Sequence, residues 1–254
     1  MKSNKINLGI DGPIATITIN RPEKKNALTD EMFLEIIESI ERVKEYKDCK
    51  IVVIRGVEGV FCAGRDISSF QRIQKLSTSY EIRDEYDLPA KLNFALRNCH
   101  LPTVAVVQGY AMGVGAGLVS WCDVALVDKS AKFSYSEIKL GLAPSMVCVE
   151  LLRNVPKKKA VDLLLTGKVI DAIEALSIGL ITSYYSSEIF EQKVREYIED
   201  LVSKSKTALI MEKSYLRSIE DMDYQNAVNY GIEISSICTA SEEAKEKIDA
   251  FLSR

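Results

Sequence analysis

The sequence contains a single histidine, His100, and no pair of cysteines with C-x-x-C spacing. A zinc site would therefore need an unusual set of ligands, and we expect no metal ion. The cysteines occur mostly in apolar runs and are expected to be reduced residues of the core; they stand at positions 49, 62, 99, 122, 148 and 238. His100 precedes a predicted buried strand and is expected to be a structural or surface residue.

Long apolar segments are also missing from the sequence. No apolar run reaches about 18 residues, the length that a transmembrane helix requires, so we expect no membrane partner. The residues from Met1 to Ile6 lack the apolar region of a secretory signal, and we expect a cytoplasmic protein. The formal net charge is −3, which gives no general attraction for a polyanion, and we expect no nucleic-acid partner.

The 254 residues are 47% hydrophobic and 27% charged, which is the balance of a globular protein. Apolar runs at 6–10 and 13–19 flank Asp11-Gly12, a pair typical of a β-hairpin turn. Apolar residues then recur at helical spacing from about residue 29 to 46, and a buried strand is predicted at 50–55. Because strand, helix and strand follow one another, we predict a βαβ unit in a largely parallel sheet, and therefore an α/β fold.

The remaining pattern divides the chain into a β-rich part and a helical part. Further strands are predicted at 102–108 and 123–127, and short helices at about 89–98, 118–122 and 145–153. The polar residues 68–87 predict no definite element. Later helices are predicted at 157–166, 171–177, 187–204, 206–220, 222–237 and 241–252. Because no linker separates the parts, we predict a single domain over residues 1–254, with a core at about 1–155 and a helical region at about 156–254.

Glycines follow the predicted strand at 102–108, in the run from Gly109 to Gly117. A strand, glycines and a helix in this order can direct backbone N–H groups and the positive end of a helix at an anion. The spacing is G-x-G-x-G rather than the G-x-G-x-x-G of dinucleotide-binding proteins, so a nicotinamide cofactor is not expected. The alternative is that the glycines only allow a helix to pack closely on a strand.

A second loop with a glycine, Ala63-Gly64-Arg65-Asp66, also follows a predicted strand. Gly64 permits a turn that leaves the next peptide N–H free, and two such loops at the ends of parallel strands can converge as an oxyanion hole. An ordinary connecting loop is the alternative. Glu137 lies among apolar residues and is either a solvated carboxylate or a candidate acid–base group.

A series of short motifs runs from about residue 6 to residue 252. The motifs are Asn20-Arg-Pro22 with Asn26-Ala-Leu28, Phe61 to Ile67, Pro102 to Gly113, Cys122-Asp123, Phe133 to Gly141, Leu165-Thr-Gly167 with Glu174 to Leu180, and Ser241 to Leu252. Together they resemble the crotonase (enoyl-CoA hydratase/isomerase) superfamily. The resemblance implies a crotonase-like spiral of ββα units with a C-terminal helical trimerisation region, assembled as a homotrimer or hexamer. It also implies an acyl-CoA thioester substrate; because coenzyme A is part of that substrate, no separate cofactor is expected.

The resemblance assigns roles to residues of both glycine-containing loops. It implies that the peptide N–H groups of Arg65 and Val114 bind the thioester oxygen and stabilise an enolate. The family usually has glycine where Val114 stands, so the valine side chain is expected to narrow the pocket. The side chain of Arg65 either reaches a CoA phosphate or is solvated. The implied substrate-binding residues are Lys25, Asn26, Ala63, Asp66, Ile67, Gly113 and Gly117, with Lys24 beside the path of CoA.

Glu137 is the implied catalytic residue. Gly117 helps to distinguish a hydratase from an isomerase. Hydratases of the family typically use two glutamates; Glu137 matches one of them, and the position of the other is Gly117, which has no side chain. Since isomerases of the family move a proton between two carbons with a single glutamate, we favour an enoyl-CoA isomerase-like proton shift.

Three alternatives to the isomerase remain open. They are a hydratase of a branched or unusual acyl-CoA, an acyl-CoA decarboxylase, and a non-catalytic CoA-binding relative. A hydratase would need a second carboxylate. Four acidic residues are candidates for it, unless they only form a solvated helix face: Glu81, Asp84, Glu85 and Asp87.

Overall fold

The computed structural model describes residues 5–253, which form two β-sheets and the helices that pack around them. In chain order the strands are β1 (Ile6–Asp11), β2 (Ile14–Ile19), β3 (Ile51–Gly56), β4 (Thr103–Val107), β5 (Tyr110–Met112), β6 (Val124–Asp128), β7 (Lys132–Ser134), β8 (Ile170–Asp171) and β9 (Ser183–Tyr185). The α-helices are α1 (Asp30–Val43), α2 (Ile67–Ile73), α3 (Ser79–Asp84), α4 (Asp87–Arg97), α5 (Val114–Trp121), α6 (Cys148–Asn154), α7 (Lys157–Thr166), α8 (Ala172–Ser177), α9 (Phe190–Val202), α10 (Lys206–Ser218), α11 (Tyr224–Ala240) and α12 (Glu242–Leu252). Short 3-10 helices lie at Pro22–Lys24, Ser136–Leu140 and Ile219–Asp221.

The larger sheet is predominantly parallel and has the strand order β1-β2-β3-β4-β6-β9. Its antiparallel edge is the hairpin of β1 and β2, in which Gly12 takes the positive φ that the Asp11-Gly12 turn requires. The other strands pair in parallel, and α1 makes the connection from β2 to β3. The predicted hairpin, the βαβ unit and the α/β class are therefore confirmed.

The smaller sheet has the order β5-β7-β8 and begins just after β4 in the chain. The sequence predicts a glycine-rich loop here, followed by a helix at 118–122. Instead the chain forms β5, which pairs with β7, and α5 begins at Val114. Gly113 has a positive φ of 53°, which turns the chain directly from the strand into the helix. The helix prediction was therefore wrong in its starting residue.

Helices also form in the polar stretch at 68–87, where the sequence predicts no definite element. α2 and α3 lie there, and α3 is exposed along its whole length. A capping box between Thr78 and Glu81 stabilises the start of α3 locally. Because the exposed α3 buries no apolar face, it lacks the amphipathic pattern that identifies most helices.

The core lies between the sheets and the helices that cover them. The main apolar cluster joins one face of the larger sheet to α1, α4 and α5. A smaller cluster joins the opposite face to α9 through Phe190, Val194 and Ile198. After α6 the chain is mainly helical, as predicted, although β8 and β9 each add an edge strand to a sheet. Within residues 5–253, none of the helices combines the length and the apolar composition of a membrane-spanning segment.

Candidate active site

The two glycine-containing loops run side by side beyond the ends of β3 and β4. Cys62 forms a parallel bridge with Ala111 of β5: its N–H donates to the carbonyl of Tyr110 at 2.9 Å, and its own carbonyl accepts from Met112 N–H at 3.0 Å. Arg65 follows Cys62 by three positions, as Val114 follows Ala111. The register of the bridge therefore brings Arg65 and Val114 to the same edge.

Gly64 permits the close approach of these loops. Its φ is +104°, and a Cβ at this position would lie 2.8 Å from the carbonyl oxygen of Met112. Leu28 holds the loop on its other side, since its N–H donates to the carbonyl of Gly64 and its carbonyl accepts from Asp66 N–H, both at 2.8 Å. The N–H of Arg65, between these two bonds, is not used by them.

The peptide N–H groups of Arg65 and Val114 have no hydrogen-bond acceptor among residues 5–253. Val114 is the first residue of α5, where the N–H groups have no acceptor within the helix and the helix dipole is positive. Both residues line one cavity of about 350 Å³. Two unpaired amides at one cavity can bind a single carbonyl oxygen, which is the arrangement of an oxyanion hole.

Most of the predicted site residues line this cavity. They are Ala63, Arg65, Asp66, Ile67, Gly113, Val114 and Glu137, together with Lys24. Much of the apolar wall was not predicted from the sequence; it includes Phe70, Tyr86, Pro89, Leu140, Leu142, Met146 and Val147. Leu140 and Leu142 follow Glu137 closely in the chain, which was a usable signal. Phe70 and Tyr86 belong to the polar stretch at 68–87 and gave none.

Glu137 lies on the 3-10 helix that follows β7, beside the turn at Gly113. A Cβ at position 113 would be 3.0 Å from Glu137 Oε1, so the carboxyl lies directly against this glycine. Its Oε2 is buried and has no hydrogen-bond partner among the described residues. Burial raises the pKa of Glu137 and outweighs the opposing hydrogen bond from its own backbone N–H. A carboxyl of raised pKa at a cavity can exchange a proton with a molecule bound there.

Asp66 also lines the cavity, but its carboxylate is already bound by the protein. It accepts hydrogen bonds from the N–H of Ser68, as the N-cap of α2, and from the Ser68 hydroxyl, and it forms an ion pair with Arg21. Burial acts to raise the pKa of Asp66, but the bonds from Ser68 and Arg21 outweigh it and hold the pKa at about 2. Asp66 therefore stays ionised and is a poor proton donor.

Lys25 and Asn26 do not line the cavity. The side chain of Asn26 is fully buried: it donates to the carbonyls of Val60 (2.6 Å) and Val57 (3.1 Å) and accepts from Arg21 N–H (2.8 Å). These bonds use the Asn26 side chain to join two loops. The carbonyl of Lys25 accepts from Ala63 N–H at 3.0 Å, so this residue supports the Arg65 loop through its backbone.

Gly117 also lies outside the lining of the cavity. A Cβ at this position would meet Val147 Cγ1 at 2.7 Å and the ring of Trp121 at 3.1 Å. These two side chains therefore fill the space that a carboxylate at position 117 would need.

The four acidic residues considered as a second carboxylate, Glu81, Asp84, Glu85 and Asp87, are likewise absent from the lining. Glu81 caps α3, Asp84 is exposed beside Arg83, and Glu85 forms ion pairs with Arg65 and Arg72. Among the residues that the structure describes, no three side chains of His, Cys, Asp or Glu are grouped closely enough to hold a metal ion.

The side chain of Arg65 is buried, so the alternative of a solvated arginine was wrong. Its guanidinium group is bound by carboxylates of the protein. It is 2% exposed and forms ion pairs with Asp30 at 2.9 Å and Glu85 at 3.3 Å. Only the backbone of Arg65 is available to a ligand in the cavity.

Comparisons with known proteins agree with this geometry. The sequence matches the family described as enoyl-CoA hydratase/isomerase over residues 9–254. It is 30% identical to a probable enoyl-CoA hydratase of Mycobacterium bovis over 245 residues, 96% of this chain and 93% of the relative. It is 29% identical to a crotonyl-CoA hydratase of Syntrophomonas wolfei over 243 residues, 95% of this chain and 92% of the relative.

A solved structure supports the same assignment at the level of the fold. The crystal structure of an enoyl-CoA hydratase from Mycobacterium smegmatis superimposes with a TM-score of 0.93 at 25% identity, covering 99% of this chain and 97% of that chain. The expected crotonase-like fold is therefore confirmed. Since the family match extends over nearly the whole chain, the protein belongs to the enoyl-CoA hydratase/isomerase family of the crotonase superfamily.

Proposed function

We propose that the protein is an enoyl-CoA isomerase that moves a proton between the α-carbon and the γ-carbon of an acyl-CoA thioester. The observation that carries this proposal is the acid content of the cavity. Only two carboxyl groups are found among its lining residues, and Asp66 is held ionised by Arg21 and Ser68. Glu137 is left as a single exchangeable carboxyl, which suffices for a proton shift on one face of the substrate.

The steps follow from the groups at the cavity. The amides of Arg65 and Val114 donate to the thioester oxygen and stabilise the enolate that forms when the α-proton leaves. Donors of this kind supply roughly 3 to 4 kcal/mol each. Glu137 takes the α-proton of a 3-enoyl thioester and returns it to the γ-carbon as the double bond moves to the 2-position. The proton count is unchanged, and the reaction needs no cofactor beyond the coenzyme A of the substrate.

Hydration of a 2-enoyl-CoA is the second candidate, and the names of the relatives favour it, since both are called hydratases. Hydration adds a hydroxyl to the β-carbon and a proton to the α-carbon, which is commonly divided between two carboxylates. With Gly117 packed against Val147 and Trp121, Glu137 would have to perform both steps. Decarboxylation, or CoA binding without catalysis, would not depend on a Glu137 carboxyl of raised pKa.

Two substrates separate isomerase from hydratase. The absorbance of the conjugated thioester should rise when the protein is given a 3-enoyl-CoA, because the product is conjugated. Loss of that absorbance from a 2-enoyl-CoA, with no reaction of the 3-enoyl-CoA, would overturn the isomerase proposal. Incubation in D2O gives a further test: tight CoA binding without deuterium at the α-carbon would identify a non-catalytic relative.

The oligomeric state belongs to the same proposal. We expect a homotrimer or hexamer that assembles through the C-terminal helices, because α11 and α12 carry exposed apolar residues, among them Val228, Ile232, Phe251 and Leu252. The cytoplasmic location expected from the sequence also remains a prediction.

A further inference from the structure

The guanidinium group of Arg65 is almost completely enclosed, although the same residue offers its peptide N–H to the cavity. Nη1 donates to the carbonyl of Glu85 at 3.1 Å, and Nη2 donates to Asp30 Oδ1 at 2.9 Å and to Glu85 Oε2 at 3.3 Å. The ring of Phe70 lies 5.8 Å from the guanidinium carbon. The side chain therefore connects the loop of residues 63–66 to the first turn of α1 and to the segment that precedes α4.

Glu85 is the member of this cluster that reaches furthest along the chain. It is 20 residues from Arg65, it follows the exposed helix α3, and it directly precedes Tyr86, which lines the cavity. Its carboxylate also pairs with Arg72 of α2, which in turn pairs with Asp30. Arg65 and Arg72 thus share two carboxylates, but only Arg65 has a backbone N–H in the candidate site.

We propose that Glu85 is a positioning residue for the oxyanion-binding amide: it acts through the side chain of Arg65 and fixes the orientation of the Arg65 peptide. This inference rests on the proposed function to the extent that an enolate is stabilised at the cavity, and it applies to isomerase and hydratase alike.

The Glu85 carboxylate and the Arg65 peptide N–H are connected only through the side chain and backbone of Arg65. The carbonyl of Gly64 and the N–H of Asp66, on either side of residue 65, are hydrogen-bonded to Leu28. The Arg65 side chain is held by three hydrogen bonds to Glu85 and Asp30. Without the Glu85 carboxylate, a buried cation loses one of its two ionic partners, and the side chain must move to find another. A change of a few tenths of an ångström in the amide is felt in the enolate, because oxyanion stabilisation depends on donor geometry.

The test compares Glu85→Gln with the unaltered protein in two measurements. The first is kcat and KM for the 3-enoyl-CoA reaction, where we expect kcat to fall roughly 10- to 100-fold while KM stays within about threefold. The second is the enolate absorbance of acetoacetyl-CoA added to the protein. This acidic β-keto thioester is the probe because its enolate oxygen would accept hydrogen bonds from the same two amides. We expect a weaker enolate band at saturation.

Arg72→Gln is the matched control, because it removes the other partner of the same two carboxylates at a side chain that is 48% exposed. We expect kcat and the enolate band of this variant to stay near those of the unaltered protein. Equal losses in Arg72→Gln and Glu85→Gln would mean that the cluster only stabilises the fold, and would overturn the proposal.

Combining Glu85→Gln with Arg65→Met shows whether Glu85 acts through Arg65. If it does, the double variant loses no more activity than Arg65→Met alone; additive losses would contradict the proposal. The unaltered protein separates this inference from the proposed function. If it forms no enolate from acetoacetyl-CoA and exchanges no α-protons, the proposed function fails. If it does both and Glu85→Gln does so equally well, only the role of Glu85 is wrong.

Discussion

At the scale of a single residue, burial of the Glu137 carboxyl favours its proposed role as a base and lowers the stability of the folded protein when the group is charged. Its Oε2 is buried and has no hydrogen-bond partner within residues 5–253, and the same burial raises its pKa. A carboxylate of raised pKa is a stronger base than a solvated glutamate, which suits the removal of a weakly acidic α-proton. The charged form is for the same reason less favourable in the folded protein than in water.

Glu137→Gln should remove proton transfer while leaving the cavity intact. Since the amide cannot act as a base, we expect α-proton exchange in D2O to fall about 10²- to 10⁴-fold, the usual contribution of a general base. The affinity for free CoA should change little. Mass spectrometry of the recovered acyl-CoA measures the exchange. Unchanged deuterium incorporation would show that another group takes the proton.

The same variant should change how stability depends on pH. The ordinary pKa of Glu137 is 4.5, and the folded protein raises it. Between the two values the folded state holds the proton more tightly, so the free energy of unfolding falls as pH rises through this window and stays low above it. Glu137→Gln removes this loss. Urea titrations should therefore give a difference, variant minus unaltered protein, that grows as the pH rises above about 4.5.

A constant difference across this range would contradict the raised pKa. Groups such as Asp66, which titrate equally in both proteins, cancel in the comparison. The test does not require any substrate.

At the scale of elements, the helix α5 depends on glycines for two different close contacts. A Cβ at Gly115 would lie 2.2 Å from the carbonyl oxygen of Cys62, in the loop that leads to Arg65. At Gly117 the nearest atom is instead a methyl group of Val147, at 2.7 Å. The carbonyl of Cys62 is hydrogen-bonded to β5 and can shift less than the Val147 side chain. A methyl group should therefore be tolerated less well at position 115 than at position 117.

Alanine substitutions at the two positions should therefore have unequal effects. Gly117→Ala should lower the free energy of unfolding by about 1 to 2 kcal/mol, because overpacking outweighs the better helix propensity of alanine. Gly115→Ala should lower the free energy of unfolding by more than about 3 kcal/mol, and it should push apart the loops that carry Arg65 and Val114. Urea unfolding measures both. Adding Val147→Ala should relieve the cost of Gly117→Ala; equal costs at 115 and 117 would contradict the distinction.

The same helix shows which parts of the site are predictable from sequence. The amides of Arg65 and Val114 could be predicted because glycine turns after strands have a recognisable pattern and a known family spacing. The side chain of Arg65 could not, since Asp30 and Glu85 are 35 and 20 residues away and meet it only in the folded chain. Likewise, nothing near Gly117 in the sequence indicates that Val147 fills the space beside it.

At the scale of the whole molecule, the C-terminal helices are fastened to one another but leave apolar surface uncovered. The carboxylate of Glu243 in α12 accepts from the Ser205 hydroxyl at 2.6 Å and from Thr207 N–H at 2.9 Å, at the start of α10. These bonds lower the pKa of Glu243 to about 2. These bonds hold α12 against the start of α10, while apolar residues of α11 and α12 stay exposed.

The exposed apolar face of α11 can be tested as the surface of the proposed assembly. Val228 and Ile232 are spaced by one helical turn on α11, and both line an open groove between α10 and α11. A charge placed there would be desolvated on assembly, so Ile232→Glu should dissociate the oligomer; Ile232 is 59% exposed, so the variant chain should still fold. Light scattering should give at least three times 28.3 kDa for the unaltered protein and 28.3 kDa for the variant.

Glu233→Gln, at the adjacent exposed position about 100° around the helix, is the control and should stay assembled. A mass of one chain for all three proteins would exclude assembly through this surface.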